Sequence, residues 1–188
     1  MATSSNRLSQ IETASDGLVT TTVYSYNRAI ALMKAGVIMN WKEVFEQTIQ
    51  GDDNYILQYY EAIQQVQIDE LIAMTGTEIP NDLFELLQQT NGIYNNRYNE
   101  FIVYSSEKTI EVSNEYLMNA HAIGNNYYQK FLFFADNGCG ELFGYRLGKD
   151  SKNIRNIGIY YPITGEYKVI CPDLHTWVKS WFSGELET

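Results

Sequence analysis

An α+β fold is what three features of this 188-residue sequence predict. Its segments read as helices, one strand, a helix, then a run of strands and a closing helix. No regular strand–helix alternation of the kind that builds a parallel sheet is present. The last two strands are joined by Pro162-Ile-Thr-Gly-Glu166, short enough for a hairpin, which makes them antiparallel neighbours. With 45% hydrophobic residues, 19% charged residues and three prolines, the composition is that of a folded chain with one core.

Residues 1–24 are rich in Ser and Thr without periodicity and are expected to form a polar arm. Residues 25–52 are expected to be a helical extension: a helix over Ser25–Ala35 ended by Gly36, then a short helix to Gln50 opened by Asn40 and Glu43 as a capping box. Ile30, Met33, Trp41, Val44 and Phe45 give that pair an apolar face, which either packs on the rest of the chain or pairs two copies as a homodimer. The domain proper is expected at 53–188. It starts with a long helix over Tyr55–Met74, on the spacing of Ile56, Tyr59, Tyr60, Ile63, Val66, Leu71 and Met74, with Gly76 as its cap. Pro80 opens a helix over Asn81–Thr90 that Asn91-Gly92 ends.

Glu100–Tyr104 reads as a strand and Ser105–Ala120 as a helix. The continuous apolar run Phe131 to Ala135 predicts a central strand covered on at least one face, followed by the turn-rich Asp136-Asn-Gly-Cys-Gly140. Leu142–Leu147, Ile157–Tyr161 and Glu166–Cys171 complete the strands. Asp173 is a good N-cap for a final helix that sets Trp177 and Trp181 four residues apart on one face.

Charge narrows the functional classes. Thirteen Lys and Arg against 23 Asp and Glu leave −10, a surface repelled by phosphate backbones and anionic lipids, so neither nucleic acid nor membrane is an expected partner. Between Gly51 and Glu100 nine acidic residues stand against one basic residue, Arg97. Such a segment is either a solvated face or a surface that steers a basic partner. Two cysteines and a first segment without a basic, then apolar, leader pattern point to the cytoplasm.

Catalytic motifs are missing. His121 and His175 stand apart without Cys-x-x-Cys or His-Glu-x-x-His spacing, and no phosphate-cradling glycine loop occurs, so no metal and no cofactor are expected. Cys139, between two glycines, is the one candidate nucleophile, with His121 or His175 as its base; a glycine-flanked turn explains the same residues without chemistry. The fifteen tyrosines suit a recognition surface, and Tyr145, Tyr160 and Tyr167 on alternating strands are candidates for an exposed sheet face.

The ordered set Ile79-Pro80 to Asn91-Gly92, Phe101 to Tyr116, Phe131 to Glu141 and Asp173 to Phe182 resembles the SUKH superfamily, which contains fungal Smi/Knr-type cell-wall regulators and many bacterial immunity proteins. The resemblance runs from about Tyr55 to Phe182. It implies a single α+β domain with a mostly antiparallel sheet, helices packed on it, and no catalytic machinery. Gly92, Gly138, Gly140 and Trp177 match its motif positions and are expected to be fold markers. It further implies an immunity protein that neutralises a toxin domain by binding it; the alternative is a regulatory or scaffold module with an endogenous partner. The acidic balance suits the basic cleft of a nuclease toxin. Asp136, Glu141, Tyr145, Tyr160 and Glu166 on the sheet side are candidate contacts, with Asp82 and Glu85 on a helix as competitors.

Overall fold

The computed structural model describes residues 39–76, 78–122, 130–148 and 156–186. The chain divides into two compact units, Met1–Asn40 and Trp41–Thr188, and every helix and strand among the described residues belongs to the second. The expected polar arm and the expected helix over Ser25–Ala35 lie outside the described residues.

Five helices and seven strands occur among the described residues: α1 (Trp41–Thr48), β1 (Leu57–Tyr59), α2 (Gln65–Thr75), α3 (Asn81–Leu87), β2 (Ile93–Asn95), β3 (Glu100–Val103), α4 (Ser106–Ala122), β4 (Lys130–Asp136), β5 (Leu142–Leu147), β6 (Ile157–Tyr161), β7 (Glu166–Cys171) and α5 (Leu174–Phe182). They form two antiparallel sheets, β1-β2-β3 and β4-β5-β6-β7. The α+β class and the antiparallel pairing are those the sequence predicts.

The four-stranded sheet carries helices on both faces because its strands alternate apolar residues to each side. On one face Phe131, Phe133 and Tyr160 cluster beneath Val112 and Tyr116 of α4, the Tyr116 ring edge-on to all three. On the other face Phe134 and Phe143 meet Trp177 of α5 at 5.0 and 5.4 Å between ring centroids. Trp181, one turn on, stacks parallel to Trp177 at 6.3 Å and closes on Phe143. Large aromatic area removed from water dominates this core, with edge-on geometry adding to each pair. Asp173 caps α5 as its sequence demands, its Oδ1 accepting the Thr176 N–H at 2.7 Å.

Two expectations are corrected. The helix over Tyr55–Met74 is a strand followed by a shorter helix: β1 pairs Leu57 with Asn95 and Tyr59 with Ile93, and α2 begins only at Gln65. Ile56 and Tyr60, which fall on the helical stripe, are exposed, whereas Leu57 and Tyr59 turn inward. Two short runs near three-to-four spacing imitate a helix when strand alternation sets the facing of the first. Gly76 does end α2 in the left-handed conformation, φ 66°, its N–H bonding the Ile72 carbonyl at 2.8 Å.

The second correction concerns β4, which stands at the end of its sheet order and not at the centre. Its apolar run follows from helices on both faces. Just past β3, the Tyr104 N–H bonds the Phe134 carbonyl at 2.7 Å and ties the smaller sheet to that strand. The α1 face takes the first of its two expected readings and packs on the rest of the chain. Trp41 and Phe45 are buried within the second unit, α1 packs on α5, and Phe45 meets Phe182 edge-on at 5.9 Å. Those two side chains are spent inside the fold and are not free to pair copies; Ile30 and Met33 lie outside the described residues.

Candidate protein-binding groove

β1 and β2 each bring a tyrosine toward Phe101 of β3. Tyr94 lies opposite Phe101 in the β2–β3 register, and Tyr60 follows directly after β1. The Tyr60 and Phe101 rings lie near-parallel at 6.1 Å and 29°, while Tyr94 and Tyr104 stand edge-on to Phe101 at 5.1 and 6.2 Å. Tyr60 is 38% exposed and Phe101 half-buried.

Beside this platform a groove of about 450 Å³ opens between the starts of α2 and α4, lined among others by Tyr60, Glu61, Gln67, Phe101, Ser105 and Glu107. Its walls are held by a buried amide. Asn91 accepts the Ser106 N–H at 2.8 Å, donates to Ser106 Oγ at 3.0 Å, and gives its own N–H to the Glu61 carbonyl at 2.9 Å. Gly92 must follow at φ 103°, because a Cβ there would meet the Ser105 nitrogen at 2.9 Å. The Asn-Gly pair is thus the joint between the end of β1 and the start of α4.

Two carboxylates belong to the groove. Glu61 is exposed. Desolvation opposes ionisation of Glu107, but hydrogen bonds from its own backbone amide and from Ser105, Gln67 and Ser106 outweigh that and hold its carboxyl below the usual range. Gln67 is itself oriented, its Oε1 accepting the Gln64 N–H at 2.8 Å while its amide donates to Glu107.

The residues singled out in the sequence fall in four places. Tyr145 is 0% exposed and Tyr160 8% exposed, so neither stands on an open sheet face, a correction that follows from helices covering both sides. Tyr145 and Asp82 are brought together as a structural pair, the phenol donating to Asp82 Oδ1 at 3.0 Å, and burial pushes the Tyr145 pKa well up. Glu85, one turn along α3, is half-buried, and desolvation and then Asp82 raise its pKa. Asp136 and Glu141 flank the β4–β5 turn, where Gly138 and Gly140 take φ 74° and 105°. The Tyr104 phenol donates to Asp136 there, one ring away from Phe101. Glu166 is exposed at the start of β7. Trp177 is 1% exposed, at the heart of the core.

The sequence does not single out Tyr60, Phe101 or Glu107 for the groove, since nothing in their spacing relates β1, β3 and α4. Nor does the structure join Cys139 to His175. Cys139 is exposed on the β4–β5 turn, whereas His175 lines a separate groove with Val44, Gln47 and Lys179. Cys171 is buried, its thiol pushed up to about 12 by desolvation first and Asp173 second. The native protein is therefore expected to take up one equivalent of iodoacetamide at mildly alkaline pH and two when denatured, as read by intact mass. Rapid double labelling of the native chain would show that the end of β7 opens.

An antiparallel α+β scaffold carrying a groove of aromatic rings and carboxylates defines a binding domain. The family model of the SMI1/KNR4 family (SUKH-1) matches residues 62–180, and the chain belongs to that family. Its members are in general non-enzymatic proteins that act by binding other proteins, as immunity factors or regulators. A search of curated proteins finds no match. No helix among the described residues is long and apolar enough to cross a membrane.

Proposed function

We propose that this protein is a cytoplasmic immunity protein that neutralises a basic toxin domain by occupying it stoichiometrically, with the aromatic and acidic groove as the centre of contact. The observation that carries this reading is the pairing of family membership with the Tyr60–Phe101 platform beside Glu61 and Glu107. Exposed aromatic rings supply contact area at little entropic cost, and surrounding carboxylates favour a cationic partner. Asp136, Glu141, Glu85 and Glu166 are further candidate contacts. A nuclease toxin suits this surface, because clefts that hold a phosphate backbone are basic.

The test is co-expression with the C-terminal domain of the protein encoded beside this gene, scoring survival and co-purification. Rescue with a one-to-one complex is expected, and association should slow by about tenfold between 20 and 200 mM NaCl. A toxic neighbour that this protein neither rescues nor binds, or a neighbour that is not toxic, would overturn the reading in favour of a regulatory module with an endogenous partner.

A further inference from the structure

Resting on that reading, we infer that the groove is a receptor for one arginine side chain of the partner, stacked on the Tyr60–Phe101 platform, donating to the exposed Glu61 carboxylate and attracted by the charge of Glu107. The volume, about 450 Å³, belongs with small-ligand sites of about 300–1,000 Å³ and not with a trough for a whole helix. The lining brings together two aromatic rings and two acids, the two features a guanidinium uses together: its plane stacks on an aromatic ring while its edge donates to a carboxylate.

An anion is excluded by what surrounds the groove. The start of α4 points its free amides toward this region, which by itself favours negative charge. Those amides are already served from within the chain. Asn91 accepts the Ser106 N–H, Ser105 Oγ accepts the Lys108 N–H at 3.3 Å, and the Glu107 carboxylate accepts its own backbone N–H. The helix end is neutralised by the protein, and the groove is left with net acidic character.

Among the described residues no Lys or Arg lines the groove. Lys108 follows Glu107 in the chain but pairs with Glu111, and that pair takes in neither Glu61 nor Glu107. Lys108, the basic side chain next to Glu107, is thus turned away at 3.0 Å from Glu111. A site with a ring platform, an exposed acceptor in Glu61, the charge of Glu107 and its local lysine engaged by another acid has room for a cation supplied from outside. Lysine would satisfy the charge but not the stacking or the forked donation, so discrimination in favour of arginine is part of the inference.

The experiment titrates the isotope-labelled full chain, followed by amide chemical shifts, with acetyl-Gly-Arg-Gly-amide and with its lysine and citrulline counterparts. Saturable shifts are expected for the arginine peptide at Glu61, Phe101 and Ser105, with the lysine peptide about threefold weaker and the citrulline peptide without saturable binding. Tyr60→Ser and Glu61→Gln, both at exposed positions, should each weaken binding by about fivefold while leaving the remaining spectrum in place. Equal binding of citrulline, shifts scattered over the acidic surface without saturation, or wild-type affinity in both variants would overturn the inference. The two readings fail separately. Rescue from the toxin that is indifferent to Tyr60→Ser and Glu61→Gln, with no arginine binding, removes the arginine site and leaves immunity. Arginine binding without any rescue removes immunity and leaves the site.

Discussion

Replacement of Asp82 by alanine is expected to cost about 3 kcal/mol of stability, read as a lower urea midpoint at unchanged slope. One carboxylate here serves three elements. It sits in the first turn of α3, its Oδ1 accepts the Tyr145 phenol of β5, and its Oδ2 accepts the Leu174 N–H at the start of α5 at 2.9 Å. Truncation loses these two long-range hydrogen bonds to the carboxylate, about 1.5–3 kcal/mol each before relaxation, together with the local one from the Leu83 N–H, and leaves the fully buried Tyr145 hydroxyl without its partner. Asp82→Asn keeps one carbonyl acceptor and should lose less than half as much. A urea midpoint for Asp82→Ala within error of the wild type would show that Tyr145 and Leu174 find other acceptors.

Gly158→Ala is expected to destabilise by about 3 kcal/mol, at the upper end of the usual cost of overpacking. The cause is space. Gly158 pairs with Gly144 across β5 and β6, and the Tyr167 ring of β7 lies over the gap they leave. A Cβ on Gly158 would meet Tyr167 Cζ at 2.3 Å and the Lys168 carbonyl at 2.6 Å. The ring cannot simply swing aside, because its hydroxyl donates to the Gly144 carbonyl at 3.1 Å. In a Tyr167→Ala background the same substitution should cost at least about 1 kcal/mol less, since one of the two clashes is gone. Strict additivity in that thermal or urea cycle would mean that the strand backbone, and not the ring, sets the limit.

Both predictions concern residues whose roles the sequence leaves open. Asp82 reads as one of nine acids in a charged stretch and as a candidate partner contact. Its neighbours in the fold, Tyr145 and Leu174, lie 63 and 92 residues away. Gly158 sits inside an apolar strand segment, where a glycine signals close approach but does not say of what. The groove is still less legible. Tyr60 falls on a helix stripe, Phe101 on a strand and Glu61 in an acidic run, and Glu107 carries no signal of its own. Their meeting depends on the register of β1 against β2 and on the Asn91 clamp to α4.

What the sequence by itself determined is the set of features written in local backbone preference. Asp173 caps α5, Gly76 ends α2 with a positive φ, a four-residue turn over 162–165 closes the β6–β7 hairpin, and the apolar run after Lys130 is a strand. The resemblance carried by the Asn91-Gly92, Gly138-x-Gly140 and Trp177 positions likewise led to the family. Each is fixed by residues within a few positions of one another, so no distant partner can easily reverse it. Only the tertiary structure decided that Leu57–Tyr59 is a strand, that Tyr145 and Tyr160 are buried, and that three tyrosine rings gather around Phe101 beside two glutamates. A three-residue strand has too little intrinsic preference to declare itself and exists because Ile93–Asn95 pairs with it. Which face of a strand is covered is set by helices arriving from elsewhere in the chain, and that arrival has no spelling in the strand's own residues.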